Sequence, residues 1–508
     1  MRKVISIFFA LLAVSVLGGC FSPVELVTDL PGAKADAPYK TQIKVTGGSG
    51  NYNFALVSGF LPSGLILDQN GIISGTLTAE AGLYSFTVRA EDAIFGENEY
   101  FATTDEEEMT IHVDDTPYKW TILIHFAVDN NITYEFEDLL GLVSYYLETL
   151  EAVEAADLDN SLQILVLMDS YNPDTVYADG YYRITGGDFQ DDLVIDLAEI
   201  NSGDLGQIKD FLDWAFAQYP SEHYLYSVFN HGSGFNDADT SGAGYAVKGI
   251  AFDDSHDDCL THHELGLANA YLAGLIGHNV DLFYAFACLM GGVELAYELK
   301  DCSDYLLLSE EAFPADLWSY EALETIVDDP GVGAEELGRA FCDSAYDYFE
   351  RIILSREFTL ALIDVANMDA VYQAIDEYAL AALADINDEA SIAAYYNQAA
   401  DESFTMCANI EDIEDYYYVD LGDYLDHIKA SPGIGPAVKI KADIVKAALA
   451  QSVVYLSQYG YSTASGLSIF HNIWNSEFQY PPTIYKQILD FGSNSWSDYM
   501  QLMDSLQP

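Results

Sequence analysis

Thr121-Ile122-Leu123-Ile124-His125-Phe126-Ala127-Val128 is a strand-length stretch in which apolar residues follow one another almost without interruption. Three further runs of this kind alternate with stretches of helical periodicity. The runs are Leu162–Met168, Tyr224–Phe229 and Val280–Ala287, and the helical stretches are Glu135–Ala155, Leu205–Ala217 and Glu264–Leu275. Apolar strands separated by helices are typical of a mainly parallel sheet that is flanked by helices on both faces. We therefore predict an α/β fold for this region.

The chain beyond Gly333 is predicted to continue the same domain, which we place at residues 118–508. Three stretches there have helical periodicity and two have the character of strands. The helical stretches are Glu335–Glu350, Met368–Ala384 and Ala437–Gln458, and the strand-like ones are Phe358–Ile363 and Gly466–Phe470.

Residues 23–114 follow a different pattern. Apolar and polar side chains alternate along Tyr84–Val88, and Asn70-Gly71 is a turn signal. This pattern predicts a separate all-β sandwich of about 90 residues. The stretch Leu61-Pro62-Ser63-Gly64-Leu65 and its sequel resemble the Ig-like modules of bacterial surface proteins, which serve as spacers or adhesion units.

The composition restricts the partners. The 508 residues include 19 Lys and Arg against 82 Asp and Glu, a formal net charge of −63. Such a surface repels phosphate, so we expect no nucleic-acid partner and no attraction to anionic membranes. The charge is compatible with a basic partner, but solubility alone also explains it.

The first residues are typical of an export signal. Arg2 and Lys3 precede the apolar run Val4–Leu17, which is too short to span a bilayer. The following Leu17-Gly18-Gly19-Cys20 resembles a bacterial lipobox. We predict a signal peptide at residues 1–19 and a lipid on Cys20. This lipid would be the protein's only attachment to the membrane and would hold it at the outer face of a bacterial membrane. An ordinary signal peptide is the alternative.

Two of the predicted strands end in reactive side chains. The third is followed by Asn230-His231-Gly232-Ser233-Gly234, and the fourth by Cys288-Leu289-Met290. Active sites of parallel sheets lie beyond the carboxyl ends of the strands, so His231 and Cys288 would share a cleft if these strands are neighbours. The imidazole could then activate the thiol, and the N–H groups of Gly232 and Cys288 could stabilise an oxyanion. Structural roles for both side chains are the alternative.

Together, these His and Cys motifs resemble those of the clostripain family of cysteine peptidases, in the caspase-like clan. The similarity extends over residues 118–475 and includes Phe252-Asp253-Asp254-Ser255 and Ser309-Glu310-Glu311. It implies a caspase-like α/β sandwich that hydrolyses peptides or proteins with a Cys–His dyad and requires no cofactor. In that mechanism Cys288 is the nucleophile and His231 the general base and acid.

The resemblance breaks at one position. Where the family often has an acidic residue for a basic P1 side chain, this chain has Phe286, and Asp316 is the remaining acidic candidate for that pocket. A basic P1 residue and an apolar or other P1 residue therefore both stay open. Some relatives cut themselves between the histidine and the cysteine, which makes Lys248 a candidate processing site. The alternative is that Lys248 merely precedes a strand at Gly249–Phe252.

The sequence offers one weak candidate for a metal site. Asp253 and Asp254 offer hard oxygen ligands suited to calcium, which some relatives use, whereas the sequence has no zinc motif here. Two rival functions also remain. One is an inactive surface-binding or adhesion lipoprotein, and the other is a transpeptidase or amidase using the same dyad.

Overall fold

The structure is a computed structural model. It describes residues 23–506 except 29, 31, 36–37, 95–102, 115–117, 131, 133–136, 158–160, 172–176, 185–188, 237–247, 315–319, 353–356, 389, 405–417, 472–484 and 486–488. The predicted signal peptide, Cys20 and Asp316 lie outside the described residues. The described chain divides into two compact units, and the second begins at Tyr118.

The first unit consists of β-strands. Its strands are β1 (Glu25–Leu26), β2 (Ala33–Lys34), β3 (Pro38–Gln42), β4 (Val45–Thr46), β5 (Tyr52–Gly59), β6 (Leu65–Leu67), β7 (Ile72–Thr76), β8 (Gly82–Asp92) and β9 (Thr104–Asp114). They form a four-stranded sheet (β2-β9-β8-β5), a three-stranded sheet (β3-β7-β6) and the pair β1-β4. Along β8, Phe86, Val88 and Ala90 are buried and alternate with less buried residues, as the sequence pattern predicts. The all-β, Ig-like architecture is confirmed.

The second unit contains fourteen described strands. They are β10 (Tyr118–Val128), β11 (Leu162–Ser170), β12 (Gly180–Arg183), β13 (Leu193–Asp196), β14 (Ser221–Phe229), β15 (Gly232–Asn236), β16 (Lys248–Asp253), β17 (Asp258–Leu260), β18 (Val280–Phe286), β19 (Ser303–Leu308), β20 (Phe358–Asp364), β21 (Tyr418–Asp420), β22 (Val453–Tyr459) and β23 (Ser468–Phe470). Nine of them form one sheet in the order β13-β12-β11-β10-β14-β18-β19-β20-β22. The five central strands, β11 to β19 in that order, are parallel, and the two at each edge are antiparallel.

Eleven helices of this unit are described. They are α1 (Glu137–Ala156), α2 (Leu205–Gln218), α3 (His262–Ile276), α4 (Val293–Glu298), α5 (Glu324–Asp328), α6 (Ala334–Ile352), α7 (Met368–Asp388), α8 (Ala393–Asp401), α9 (Leu421–Ala430), α10 (Pro436–Ser452) and α11 (Trp496–Ser505). Helices α1 and α6 share a core with one face of the central sheet, where Ile122, Ile124 and Phe126 of β10 are fully buried. In the described part of the chain, no helix has the length and apolarity needed to cross a bilayer.

The C-terminal boundary predicted for one helix is wrong. The helix expected over Ala437–Gln458 stops at Ser452, and residues 453–459 form the edge strand β22, antiparallel to β20. Val453, Val454 and Tyr455 favour extended backbone, and β20 offers a partner for their hydrogen bonds. The pattern of apolar residues alone could not show that this partner exists.

Candidate active site

The two strands that precede the predicted dyad are neighbours. Strands β14 and β18 pair in parallel up to Phe229 and Phe286, and the N–H of Asn230 donates to the Phe286 carbonyl at 3.4 Å. His231 and Cys288 each follow the last residue of their strand by two positions. Both residues therefore lie at the same edge of the sheet, as the sequence required for a common site.

Gly232 brings the two loops into contact. A Cβ atom on Gly232 would lie 2.2 Å from the Cys288 carbonyl oxygen and 2.9 Å from the Ala287 side chain. Any residue with a side chain would have to move the histidine loop away from the cysteine loop. This close approach explains why a glycine follows the histidine.

Asn230 fixes the start of the histidine loop. Its side-chain oxygen accepts from the Phe252 N–H at 2.9 Å, and its amide donates to the Ala127 carbonyl. These bonds join the carboxyl ends of β10, β14 and β16. The sequence motif contained Asn230 but gave no sign of this role, because both partners are distant along the chain.

The Cys288 thiol is held by the segment after β19. The Phe313 N–H donates to the sulfur at 3.2 Å, and the Leu289 N–H donates to the Glu311 carbonyl at 3.1 Å. Burial raises the pKa of Cys288; the Phe313 N–H opposes this, and the Glu311 charge adds to it. The resting thiol therefore keeps its proton and needs a base to become a nucleophile.

His231 can serve as that base. The side chain is exposed, yet the atoms packed around it lower the pKa of His231, while the Asp254 carboxylate raises it. A lowered pKa leaves the imidazole neutral near pH 7, so it can accept a proton.

Phe286 lies in the core beneath the cysteine loop. It is 2% exposed, and its ring meets those of Phe229 at 5.1 Å and Phe313 at 5.2 Å in edge-to-face geometry. The ring therefore supports Phe313, whose backbone holds the thiol. Its predicted contact with a substrate side chain stays a prediction.

Three further predicted positions can be located. Lys248 is the first residue of β16, so it starts the strand that the sequence placed just after it. The Asp253 carboxylate is buried and accepts from the Ser202 N–H at 3.1 Å and the His256 N–H at 2.8 Å. The Asp254 N–H donates to the Asp129 carbonyl at 2.8 Å. The Asp253 oxygens are thus largely occupied by protein donors.

A mainly parallel central sheet whose adjacent strand ends present a histidine and a cysteine defines the class of caspase-like cysteine peptidases. The sequence pattern of the clostripain family matches residues 133–507, and the chain belongs to that family. The Ig domain family matches residues 22–105.

Individual relatives agree with this assignment. Clostripain from Hathewaya histolytica is 32% identical over 108 residues, which span 20% of this chain and 19% of that protein. A secreted C11 cysteine protease from Bacteroides thetaiotaomicron, solved with an irreversible peptide inhibitor, superposes with a TM-score of 0.52 at 16% identity, covering 74% of this chain and 99% of that one. An inactive zymogen C11 protease from Parabacteroides distasonis also gives 0.52, at 18% identity, covering 75% and 99%. These two structures show the shared fold.

Proposed function

We propose that the chain is a cysteine endopeptidase in which Cys288 attacks the peptide carbonyl and His231 moves the proton. The observation that carries this proposal is the contact between the two strand-end loops, where Gly232 lies against the Cys288 carbonyl. Membership of the clostripain family supports it.

The chemistry proceeds by acyl transfer. The neutral His231 takes the thiol proton, and the Cys288 sulfur bonds to the carbonyl carbon, whose oxygen gains the negative charge. The N–H groups of Gly232 and Cys288 would stabilise that oxygen. His231 then gives its proton to the leaving amine as the C–N bond breaks. A water molecule, deprotonated by His231, finally hydrolyses the thioester and restores the thiol.

Phe313 has a supporting part in the same mechanism. Its N–H donates to the sulfur at 3.2 Å, which favours the thiolate over the thiol and fixes the position of the sulfur. The buried ring of Phe313 packs on Phe286, so the aromatic core keeps this donor in place.

The substrate is a peptide or protein, and the preferred P1 residue depends on whether the P1 pocket contains an acidic side chain. A basic P1 side chain would depend on Asp316, because Phe286 offers no charge. An apolar P1 side chain needs no charged partner, which suits a chain with the uncharged Phe286 at the position of the family's acidic residue.

We place the enzyme outside the cytoplasm, anchored through a lipid on Cys20, with the Ig-like unit between Cys20 and the peptidase unit along the chain. The signal-like residues 1–19 support this placement, and so does the relative that is described as secreted.

The test compares the chain starting at Phe21 with its Cys288→Ala variant on a peptide library varied at P1. Cys302→Ala is the matched control, since Cys302 is also a described free cysteine but directly precedes β19, away from the carboxyl ends of the strands. We expect cleavage by the wild type and by the control, and none by Cys288→Ala. Cleavage after Arg or Lys would support Asp316 as the partner of a basic P1 side chain, and cleavage after apolar residues would support a pocket without that charge.

Two results would replace this proposal. Products that appear only with an added amine acceptor, identified by mass spectrometry, would indicate a transpeptidase. Folded wild type that cleaves nothing would favour the surface-binding alternative. The intact mass of the wild type and of Lys248→Ala also reports whether the chain cuts itself after Lys248.

A further inference from the structure

Two backbone hydrogen bonds hold the loop that follows the nucleophile. The Leu289 N–H donates to the Glu311 carbonyl at 3.1 Å, and the Gly291 N–H donates to the Ser309 carbonyl at 2.7 Å. A Cβ atom on Gly291 would lie 2.5 Å from the Glu310 nitrogen, so the two segments are in close contact. Ser309, Glu310 and Glu311 directly follow β19, so the end of that strand sets the position of the loop.

The same loop contains a strained residue. Leu289 has a φ of 61°, in the left-handed region that residues with a side chain rarely adopt, and its side chain is buried. A conformation of this kind persists only where the surrounding structure holds it. Because Leu289 directly follows Cys288, any relaxation of its backbone would move the thiol.

One hydroxyl group, that of Thr359, organises the segment that holds the loop. Its oxygen accepts from the Glu310 N–H and from the Glu311 N–H, each at 3.2 Å, and it lies 3.2 Å from the Ser309 hydroxyl oxygen. Thr359 is the second residue of β20, which runs antiparallel to β19, so it lies beside the residues that directly follow β19. The Thr359 side chain is fully buried.

The donors and acceptors of this network can be assigned. The Ser309 hydroxyl donates to the Glu311 carbonyl at 2.9 Å, which uses its only hydrogen. Thr359 must therefore donate to Ser309, while the two lone pairs of the Thr359 hydroxyl accept from the N–H groups of Glu310 and Glu311. The hydrogen-bonding capacity of this hydroxyl is thus fully used. A side chain without it would remove the acceptor of two buried N–H groups.

We propose that Thr359 is a positioning residue for the Cys288 thiol. Its hydroxyl fixes residues 309–311, and these residues hold the loop after the nucleophile. They also precede Phe313, whose N–H donates to the sulfur at 3.2 Å. Thr359 acts through these residues, and the sequence motifs around His231 and Cys288 do not contain it. The effect on catalysis rests on the proposed peptidase function, but the effect on the reactivity of the thiol does not.

This role depends on the hydroxyl group of Thr359 and not on the bulk of its side chain. Without the hydroxyl, residues 309–311 can shift and the Phe313 N–H moves away from the sulfur. The thiolate then loses a donor that favours it over the thiol. Valine keeps the shape of threonine and lacks the hydroxyl, whereas serine keeps the hydroxyl and lacks a methyl group. Thr359→Val and Thr359→Ser therefore separate the two contributions.

The test measures two reactions of the chain that starts at Phe21. One is the alkylation of Cys288 by iodoacetamide, followed across pH by peptide mass spectrometry, and the other is the cleavage of the best library peptide. We expect Thr359→Val to lower kcat about 30-fold while KM changes less than about threefold. The pH midpoint of alkylation should rise by at least about 0.5, because the thiolate has lost a donor. Thr359→Ser should keep the alkylation rate and kcat within about threefold of the wild type.

Thr121→Val is the matched control. Thr121 is an equally buried threonine of the same sheet, but it is the fourth residue of β10, far from the carboxyl end of that strand. Its replacement should leave kcat and the alkylation profile unchanged. Ser309→Ala is a second variant, because it removes the hydroxyl that joins Thr359 to the Glu311 carbonyl. It should slow the alkylation of Cys288 by about threefold or more, and it decides the question if Thr359→Val does not fold.

Two results would overturn the positioning role. One is a folded Thr359→Val variant, or failing that Ser309→Ala, with the kcat and the alkylation profile of the wild type. The other is an equal loss in Thr359→Val and Thr359→Ser, because the shape of the side chain would then be what matters. A wild type that cleaves no peptide, with alkylation slowed by Thr359→Val and not by Thr359→Ser, would support the positioning role and refute only the peptidase function.

Discussion

Buried acidic side chains occupy two regions at the edge of the central sheet, and their hydrogen bonds differ between the two regions. Behind the cysteine loop, Glu294 accepts from the Phe470 N–H at 2.9 Å, and Glu310 accepts from the Gly466 N–H at 2.6 Å. Burial and the neighbouring Asp420 hold the pKa of Glu310 well above its usual range, so it keeps a proton for that carboxylate. Beyond β10 and β11, Asp129 has no donor at all.

The difference separates acids that are bonded to the backbone from Asp129, whose carboxylate is not. The acids behind the cysteine loop attach β23 and its neighbourhood to the loop, since Gly291 also accepts from the Ser468 N–H at 2.8 Å. Near Asp129, Asp169 and Asp179 each accept from a backbone N–H with one oxygen, whereas neither oxygen of Asp129 has a hydrogen-bond partner. A carboxylate bonded to the backbone is part of the fold, whereas a buried one without donors needs a proton or an ion.

The largest effect on activity should come from replacing His231. We expect His231→Ala to lower kcat/KM by about 10³-fold, because the partly buried thiol, whose pKa is raised, then has no base. His278→Ala is the control, since that histidine is exposed and lies two residues before β18, at the other end of the strand from Cys288. Steady-state kinetics on the best library peptide measure both. Activity retained by His231→Ala would remove this histidine from the mechanism.

Gly232→Ala should have the next largest effect. The new methyl group would overlap the Cys288 carbonyl, so the two loops must separate, and we expect kcat/KM to fall by about 10²-fold. Gly274→Ala in α3 is the matched control, because a Cβ there meets no atom within 4 Å. That change should leave activity unchanged and slightly stabilise the helix. Equal activities of the two variants would contradict the close contact of the loops.

The buried Glu294 should make the free energy of unfolding depend on pH. Burial raises the pKa of Glu294 to about 7, so the folded state retains a proton that the unfolded chain releases above about pH 4.5. The free energy of unfolding should therefore decrease as pH rises from about 4.5 to 7, by up to about 3 kcal/mol from this group.

Glu294→Gln should flatten that dependence, and Glu324→Gln, at an exposed position, should leave it in place. Urea unfolding at a series of pH values measures the difference. A wild type whose stability is constant across this range would contradict the raised pKa.

The sequence predicted much of this arrangement because the relevant signals are local. Apolar runs and helical periods located the central strands, and the motif around His231 and Cys288 identified their shared edge. Long-range pairing was less accessible. Residues 453–459 form a strand because β20 lies beside them. The sequence suggested Asp253 as a calcium ligand because it could not show that the N–H groups of Ser202 and His256 donate to that carboxylate. The grouping of Asp129, Asp169 and Glu199 depends on strand order, which no local pattern contains.

The smallest effect concerns Phe286, which lies in the aromatic core beneath the cysteine loop. Phe286→Leu should lower the free energy of unfolding by about 1–2 kcal/mol through lost ring contacts. Phe283→Leu is the control, since Phe283 is equally buried on the opposite face of β18 and should cost a similar amount. Only Phe286→Leu should also reduce kcat modestly, because its ring supports Phe313. If the P1 preference changes with Phe286→Leu and not with Phe283→Leu, the ring lines the substrate pocket; an unchanged preference would confine Phe286 to the core that positions the thiol.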